Sequence, residues 1–254
     1  MKIRFLLILV CCAAGLTSAA RAVTTVNAGS INAVTGPGSL DFSNNLYAVR
    51  FNGPALAVNG VTFVSDTTPP VGFSSVGPQL VTDWQTKPEF GGTANDNNLE
   101  EIYSDIRWTN QGPDGAGGDP NLQANMAVVP GQMYRLQVLF YANHALETRG
   151  WDILVDGIGT VDNISSHGVV TGAGFPAYSP NMGLVYTYDF IAPDGTVNVA
   201  FGHGNLIGPG GAGEFADDNA IWSGIMLSAI PEPSTALLGG VAALALLRRR
   251  RAAS

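Results

Sequence analysis

Short apolar runs of period two, broken by glycine-rich turns, dominate the chain. Met133-Tyr134-Arg135-Leu136-Gln137-Val138-Leu139-Phe140-Tyr141 is the clearest. Tyr134, Leu136, Val138 and Phe140 share one face and Arg135 and Gln137 the other, the pattern of a half-buried strand. Pro130-Gly131 supplies a turn before it, so Met126 to Val129 is expected as a neighbouring strand. Trp151 to Val155, ended by Asp156-Gly157, reads the same way, as do Thr196 to Phe201 and Ile221 to Ile230. Leu46 to Phe51 and Gly60 to Val64 are shorter candidates. With 32 glycines and 15 prolines there is little room for long helices, and the expected fold is an all-β jelly-roll sandwich.

One stretch changes period. Leu99, Ile102, Tyr103 and Ile106 recur at helical spacing, and Asn98 with Glu101 reads as an N-terminal capping pair. A short helix of two to three turns is expected there, covering one end of the sandwich. No internal repeat or linker divides the body, so one domain is expected over residues 23–229.

The N-terminus carries Lys2 and Arg4, then an apolar run from Phe5 to Leu16, then Ala20-Arg21-Ala22. This is the pattern of a secretory signal peptide over residues 1–22, with signal peptidase expected to cut after Ala22 and Ser18-Ala19-Ala20 as the alternative site. Cys11 and Cys12 both fall inside it, so the exported body has no thiol and no disulfide. Removing both terminal segments leaves five basic and 19 acidic residues in 23–230, a net charge of −14. Nucleic acid is a poor partner for such a surface, because phosphate binding relies on clustered Lys and Arg.

The C-terminus reads Pro231-Glu232-Pro233-Ser234, then thirteen apolar or small residues, Thr235 to Leu247, then Arg248, Arg249, Arg250 and Arg251. The prolines keep the first part extended and open to a processing enzyme. Thirteen residues make about 20 Å of helix, short of a hydrocarbon core of about 30 Å. The arginines favour the cytoplasmic side, which leaves the body outside the inner membrane on a transient stop. This three-part order over residues 230–254 resembles the PEP-CTERM sorting signal of Gram-negative bacteria. The resemblance implies cleavage near Pro231-Glu232-Pro233 by an exosortase-type enzyme. It also implies a host that makes exopolysaccharide, and delivery to the cell surface or matrix.

A second resemblance covers residues 126–230. Val129 to Phe140, then Arg149-Gly150-Trp151-Asp152-Ile153-Leu154-Val155-Asp156-Gly157, is similar to malectin-like and galactose-binding-like jelly rolls. Asp217-Asp218-Asn219-Ala220-Ile221-Trp222 and the strand after it are similar as well.

Catalytic motifs are sparse. His144, His167 and His203 stand in loop-like contexts, and no HExxH, Cys/His cluster or GxSxG is present. Asp217, Asp218 and Asn219, with Asp96, Asn97 and Asn98, are loop oxygen donors suited to a structural Ca²⁺. Trp151 and Trp222 read as core. Trp84 and Trp108 adjoin loops, and Trp108 beside Asp105 is the candidate platform for stacking a sugar ring. The expected function is that of an exported, non-catalytic surface or matrix protein associated with polysaccharide. The alternative is a secreted carbohydrate-active enzyme on the same fold.

Overall fold

The computed structural model describes residues 23–77, 79–83, 87–109, 121–141, 150–165, 182–202 and 220–231. In chain order the strands are β1 (Thr24–Val34), β2 (Asn45–Arg50), β3 (Leu56–Val58), β4 (Val61–Ser65), β5 (Phe73–Val76), β6 (Gln79–Val81) and β7 (Ile106–Trp108). They continue with β8 (Leu122–Ala127), β9 (Met133–Phe140), β10 (Gly150–Val155), β11 (Ile158–Ser165) and β12 (Gly183–Ile191). The last are β13 (Thr196–Gly202), β14 (Ile221–Trp222) and β15 (Gly224–Ile230), and one helix, α1 (Ala94–Ser104), precedes β7.

These strands form a seven-stranded sheet, β1-β12-β9-β15-β2-β4-β3, facing a five-stranded sheet, β11-β10-β13-β8-β5. A small third sheet, β14-β7-β6, lies beside them. Among the described residues the expected all-β jelly-roll sandwich with one α-helix is what forms. Period two explains the core. Tyr134, Leu136, Val138 and Phe140 of β9, with Tyr186, Tyr188 and Phe190 of β12, meet Trp151, Ile153, Val197, Val199 and Phe201 in one apolar cluster. Trp151 and Trp222 are fully buried, as expected, and Trp222 stacks on Phe51 with ring centroids 4.7 Å apart.

Asp156-Gly157 links β10 to β11 with φ of 49° and 71°, and Asn59-Gly60 links β3 to β4 with 48° and 82°. Two successive left-handed residues are what a two-residue hairpin turn requires, and Asn/Asp-Gly is the pair that adopts them most easily.

The structure departs from the sequence reading in four places. The strand before Pro130-Gly131 ends at Ala127 and does not neighbour β9. It lies in the opposite sheet, between β13 and β5, and the turn carries the chain across the sandwich. There Val128 N–H donates to Gly195 O (3.0 Å) and Gly131 N–H to Ala192 O (2.8 Å).

The helix starts five residues earlier than the Asn98–Glu101 pair suggests. Thr93 is its N-cap: Asp96 N–H donates to Thr93 Oγ1 (3.2 Å), and Thr93 N–H returns a bond to Asp96 Oδ2 (3.0 Å). Ile106 falls outside it, in β7.

Nor does the helix cover an end of the sandwich. Leu99, Ile102 and Tyr103 pack on the outer face of the large sheet, against Ala48, Leu139, Val185 and Met226. Those outward residues of β2, β9, β12 and β15 are apolar, so the centre of this sheet is buried on both faces.

The run from Ile221 to Ile230 is two strands, broken at Ser223. Its N–H donates to Leu139 O (2.7 Å), and its carbonyl accepts from Phe51 N–H (3.1 Å).

No helix among the described residues is long and apolar enough to cross a membrane. The expected signal peptide (1–22) and the hydrophobic segment 235–247 lie outside the described residues.

Candidate functional site

The two ends of the large sheet are unlike each other. At one end, Ile230 pairs with Met133, Met133 with Ile191, and Ile191 with Thr24. The first residue of β1 and the last of β15 therefore share one row. Ile230 is pinned, since its carbonyl accepts from Gln132 Nε2 (2.9 Å), while Ala229 N–H donates to Asn44 O (3.0 Å). Pro231 is exposed and has no N–H with which to continue the ladder. Of the sorting residues expected from sequence, Pro231 is described. Glu232, Pro233, Arg248, Arg249, Arg250 and Arg251 lie outside the described residues, as do the cleavage-site residues Ala20 and Ala22.

At the other end, Phe140 pairs with Leu184, Asp152 with Gly202, Leu122 with Phe201 and Trp108 with Ile221. The described residues that flank 110–120, 142–149, 166–181 and 203–219 therefore all sit at this end. Those segments carry His144, His167, His203, Asp217, Asp218 and Asn219, and all of them lie outside the described residues, as does Trp84.

One buried and one partly buried ion pair hold this end together. Arg50 is fully buried at the end of β2, and its Nη2 lies 2.9 Å from Asp105 Oδ2. The same guanidinium donates to Pro54 O and Glu101 O, both at 3.1 Å. Asp105 Oδ1 accepts from Asp83 N–H (3.1 Å). Burial moves both groups against their charge. It raises Asp105 above the usual carboxylate range despite Arg50, and lowers Arg50 below its ordinary value. Arg107 Nε pairs with Asp66 Oδ2, its Nη1 donates to Gly77 O (2.9 Å), and Asp66 Oδ1 accepts from Asn52 N–H (2.9 Å).

Chain proximity alone misplaced Asp105. Its carboxylate is turned inward to close α1 against β2, out of the exposed surface expected for it beside Trp108. Trp108 is half-buried and packs on the main core, and its indole N–H is buried without a partner among the described residues. Asp96, Asn97 and Asn98 form the first turns of α1 in place of the expected loop. Asp96 caps the helix, and Asn98 Nδ2 donates to Ala57 O (2.8 Å). Among the described residues no three His, Cys, Asp or Glu side chains are grouped to hold a metal.

Sequence reasoning missed an apolar groove beside Ile230, of about 390 Å³, lined by Leu46, Tyr47, Pro70, Val71, Val129 and Tyr134 among others. Its one sequence signal was the presence of Val71 and Val129 in turns next to prolines. The described carboxylates that share a cation, Asp41 and Asp189 on Arg135, lie on the outer face of the sheet, and none of these three residues lines the groove.

No curated protein matches the chain. Among solved structures, the plant receptor-like kinase ANX2 superposes with a TM-score of 0.53 at 13% identity, over 74% of this chain and 49% of that one. The ANXUR2 extracellular domain from Arabidopsis thaliana gives 0.49 at 13%, over 74% and 49%. A calcium-binding mutant of Bacteroides uniformis β-glucuronidase 2 gives 0.46 at 14%, over 73% and 18%. At these identities the likeness is one of fold, and the chain spans about half the length of the receptor chains it matches. The ANX2 likeness agrees with the malectin-like resemblance of the body. Residues 229–251 match the PEP-CTERM protein-sorting motif, so the segment that leaves the sheet at Ile230 carries a sorting signal, and the chain is an exported substrate of an exosortase-type system.

Proposed function

We propose that the chain is a non-catalytic cell-surface or extracellular-matrix protein of a Gram-negative bacterium, whose sandwich presents one end to polysaccharide. The observation that carries this reading is the opposition of its two ends. The sorting segment leaves from one, while Trp108 and the strand ends flanking the long segments gather at the other. A protein held by its C-terminus thus offers the far end to the matrix. Trp108, and Trp84 in the stretch after β6, are the side chains assigned to sugar stacking. The net charge of −14 favours neutral over anionic glycans.

Both apolar clusters lie between Val23 and Ala229, so residues 23–230 form the unit to assay. Its thermal unfolding is measured against a panel of neutral polysaccharides, with and without Ca²⁺. Binding to the folded state raises Tm, by about 2.7 kcal/mol of stability at a hundredfold excess over Kd. The rise is expected for at least one glycan, and it should vanish in Trp108→Ala or Trp84→Ala, each read against its own ligand-free Tm. A glycan-dependent rise that survives both substitutions moves the site elsewhere. A flat panel removes the polysaccharide from the reading and leaves a structural surface protein.

A further inference from the structure

We propose that the sorting end of the sandwich docks on the membrane interface while the C-terminal segment is still attached, with Leu46, Val71 and Val129 as the contact residues. This rests on residues 235–247 entering the bilayer.

The three residues are exposed large hydrophobics, at 50%, 99% and 65% of their surface. They line one shallow groove, whose eight lining residues include no charge. A second groove of about 370 Å³ shares Leu46 and Pro70 and extends the uncharged surface to Val61 and Thr62. On a body with 19 acidic residues against five basic ones, a charge-free apolar rim is a local exception.

Its place in the fold gives it a partner. Asn45, next to Leu46, pairs with Ser228, two residues before Ile230. Val129 N–H donates to Tyr134 Oη (2.8 Å), and its carbonyl accepts from Gln132 N–H (3.2 Å), the residue whose side chain holds Ile230 O. Val71 sits in a turn fixed by Phe73 N–H to Pro70 O (3.1 Å) and Ala127 N–H to Gly72 O (2.7 Å). The rim thus lies beside the point where the chain departs, on the side facing the second sheet.

Four residues, Pro231 to Ser234, separate Ile230 from the hydrophobic segment. Fully extended they span at most about 14 Å. Thirteen residues would reach about 20 Å if helical, short of a core of about 30 Å, and four arginines in sequence after them favour the cytoplasmic side. The shortfall of roughly 10 Å is taken up by drawing the outer end below the headgroups, which pulls the sandwich onto them. The apolar surface nearest the exit point is the rim, with exposed Asp194 in the neighbouring 192–195 turn. An acidic face there would have to give up its hydration, whereas an uncharged apolar one is accommodated in the interface.

The exported chain from residue 23 onwards has no cysteine, so single cysteines carry a fluorescent probe cleanly. Val71→Cys, Val129→Cys, Val76→Cys and Val241→Cys are labelled with NBD and reconstituted in phosphatidylcholine vesicles containing a nitroxide lipid. Val76 is a matched control: it is 49% exposed but lies at the other end of β5, opposite Gln123. Quenching is expected at 71, 129 and 241, with 76 unchanged. Quenching at 241 while 71 and 129 behave like 76 overturns the docking alone. No quenching at 241 overturns the membrane insertion of the tail, and the docking with it. A blue shift at 71 that grows with protein concentration, without quenching, assigns the rim to a second copy and also overturns the proposal.

Discussion

Two carboxylates of the sandwich, one half-buried and one buried, carry opposite shifts, and the partners of each decide the sign. Asp156, in the β10–β11 turn, is raised above the usual carboxylate range by burial and by nearby Asp194, against one bond from Asn198 N–H at 2.6 Å. Its Oδ2 has no partner among the described residues. Burial also pushes Asp189 upward, but Arg135 at 2.8 and 2.9 Å and Asn27 at 2.6 Å outweigh it and hold the group below that range. A raised acid contributes stability below its unfolded pKa and loses it as pH rises through the folded one. A lowered acid does the reverse. Asp156→Asn keeps the acceptor for Asn198 and the side chain favoured at a left-handed turn position. It should therefore stabilise the body at pH 7 by about 0.5–1 kcal/mol, with the gain fading near pH 3. Asp189→Asn weakens charge-assisted bonds and should cost about 1.5–3 kcal/mol at pH 7, a loss that shrinks as pH falls below about 4. Urea unfolding of each variant at pH 3 and pH 7 checks both, and identical differences at the two pH values would reject the assigned shifts.

At the scale of elements, the Arg50–Asp105 pair joins β2 to the end of α1. Gly53 makes room for it: its φ is +74°, and a Cβ there would meet the guanidinium at 2.7 Å. Since burial moves both groups against their charge, the pair holds geometry more than it adds stability. Asp105→Ala alone leaves a buried cation and should cost about 3–5 kcal/mol. Arg50→Met with Asp105→Leu should cost less than either single change, and a double-mutant cycle by thermal unfolding measures the difference. No such link was visible in the sequence, where Asp105 read as a surface group because Trp108 lay three residues away. Strands β9, β10 and β13 were legible because each alternates cleanly against one core. The edge strand β1 was not, because register shifts at Thr25–Asn27 and Asn27–Ser30 break its period and most of its first half is exposed. The start of α1 was hidden for a different reason. Thr93–Asp96 and Asn98–Glu101 are both capping spacings, and Asn98 and Leu99 fit a start five residues late. The apolar rim was barely legible: Val71 and Val129 stand beside prolines, but the segments near residues 46, 71 and 129 meet only once the two sheets have closed.

Across the whole molecule, one apolar cluster spans both facing sheets, and the second shares the large sheet with it through Ala48, Leu139, Val185 and Met226. Neither sheet can shed its inner face without exposing the other, so residues 23–230 should unfold in one cooperative transition. The charge on that unit is lopsided, with five basic residues against 19 acidic ones. Four of the five basics, Arg50, Arg107, Arg135 and Lys87, are already engaged in ion pairs. The surplus acids therefore repel one another across the surface, and the folded state concentrates that repulsion. Salt acts on it selectively. The Debye length falls from roughly 20 Å at 20 mM to below about 8 Å at 300 mM, which screens exposed charges at a distance while leaving the buried Arg50–Asp105 pair nearly untouched. Tm should rise by about 2–4 °C between these conditions, corresponding to roughly 1 kcal/mol. Scanning calorimetry of 23–230 at both salt concentrations is the check. A fall in Tm would mean that surface ion pairs such as Lys87–Glu101 outweigh the net repulsion, and two separated transitions would mean that the sheets do not share a core.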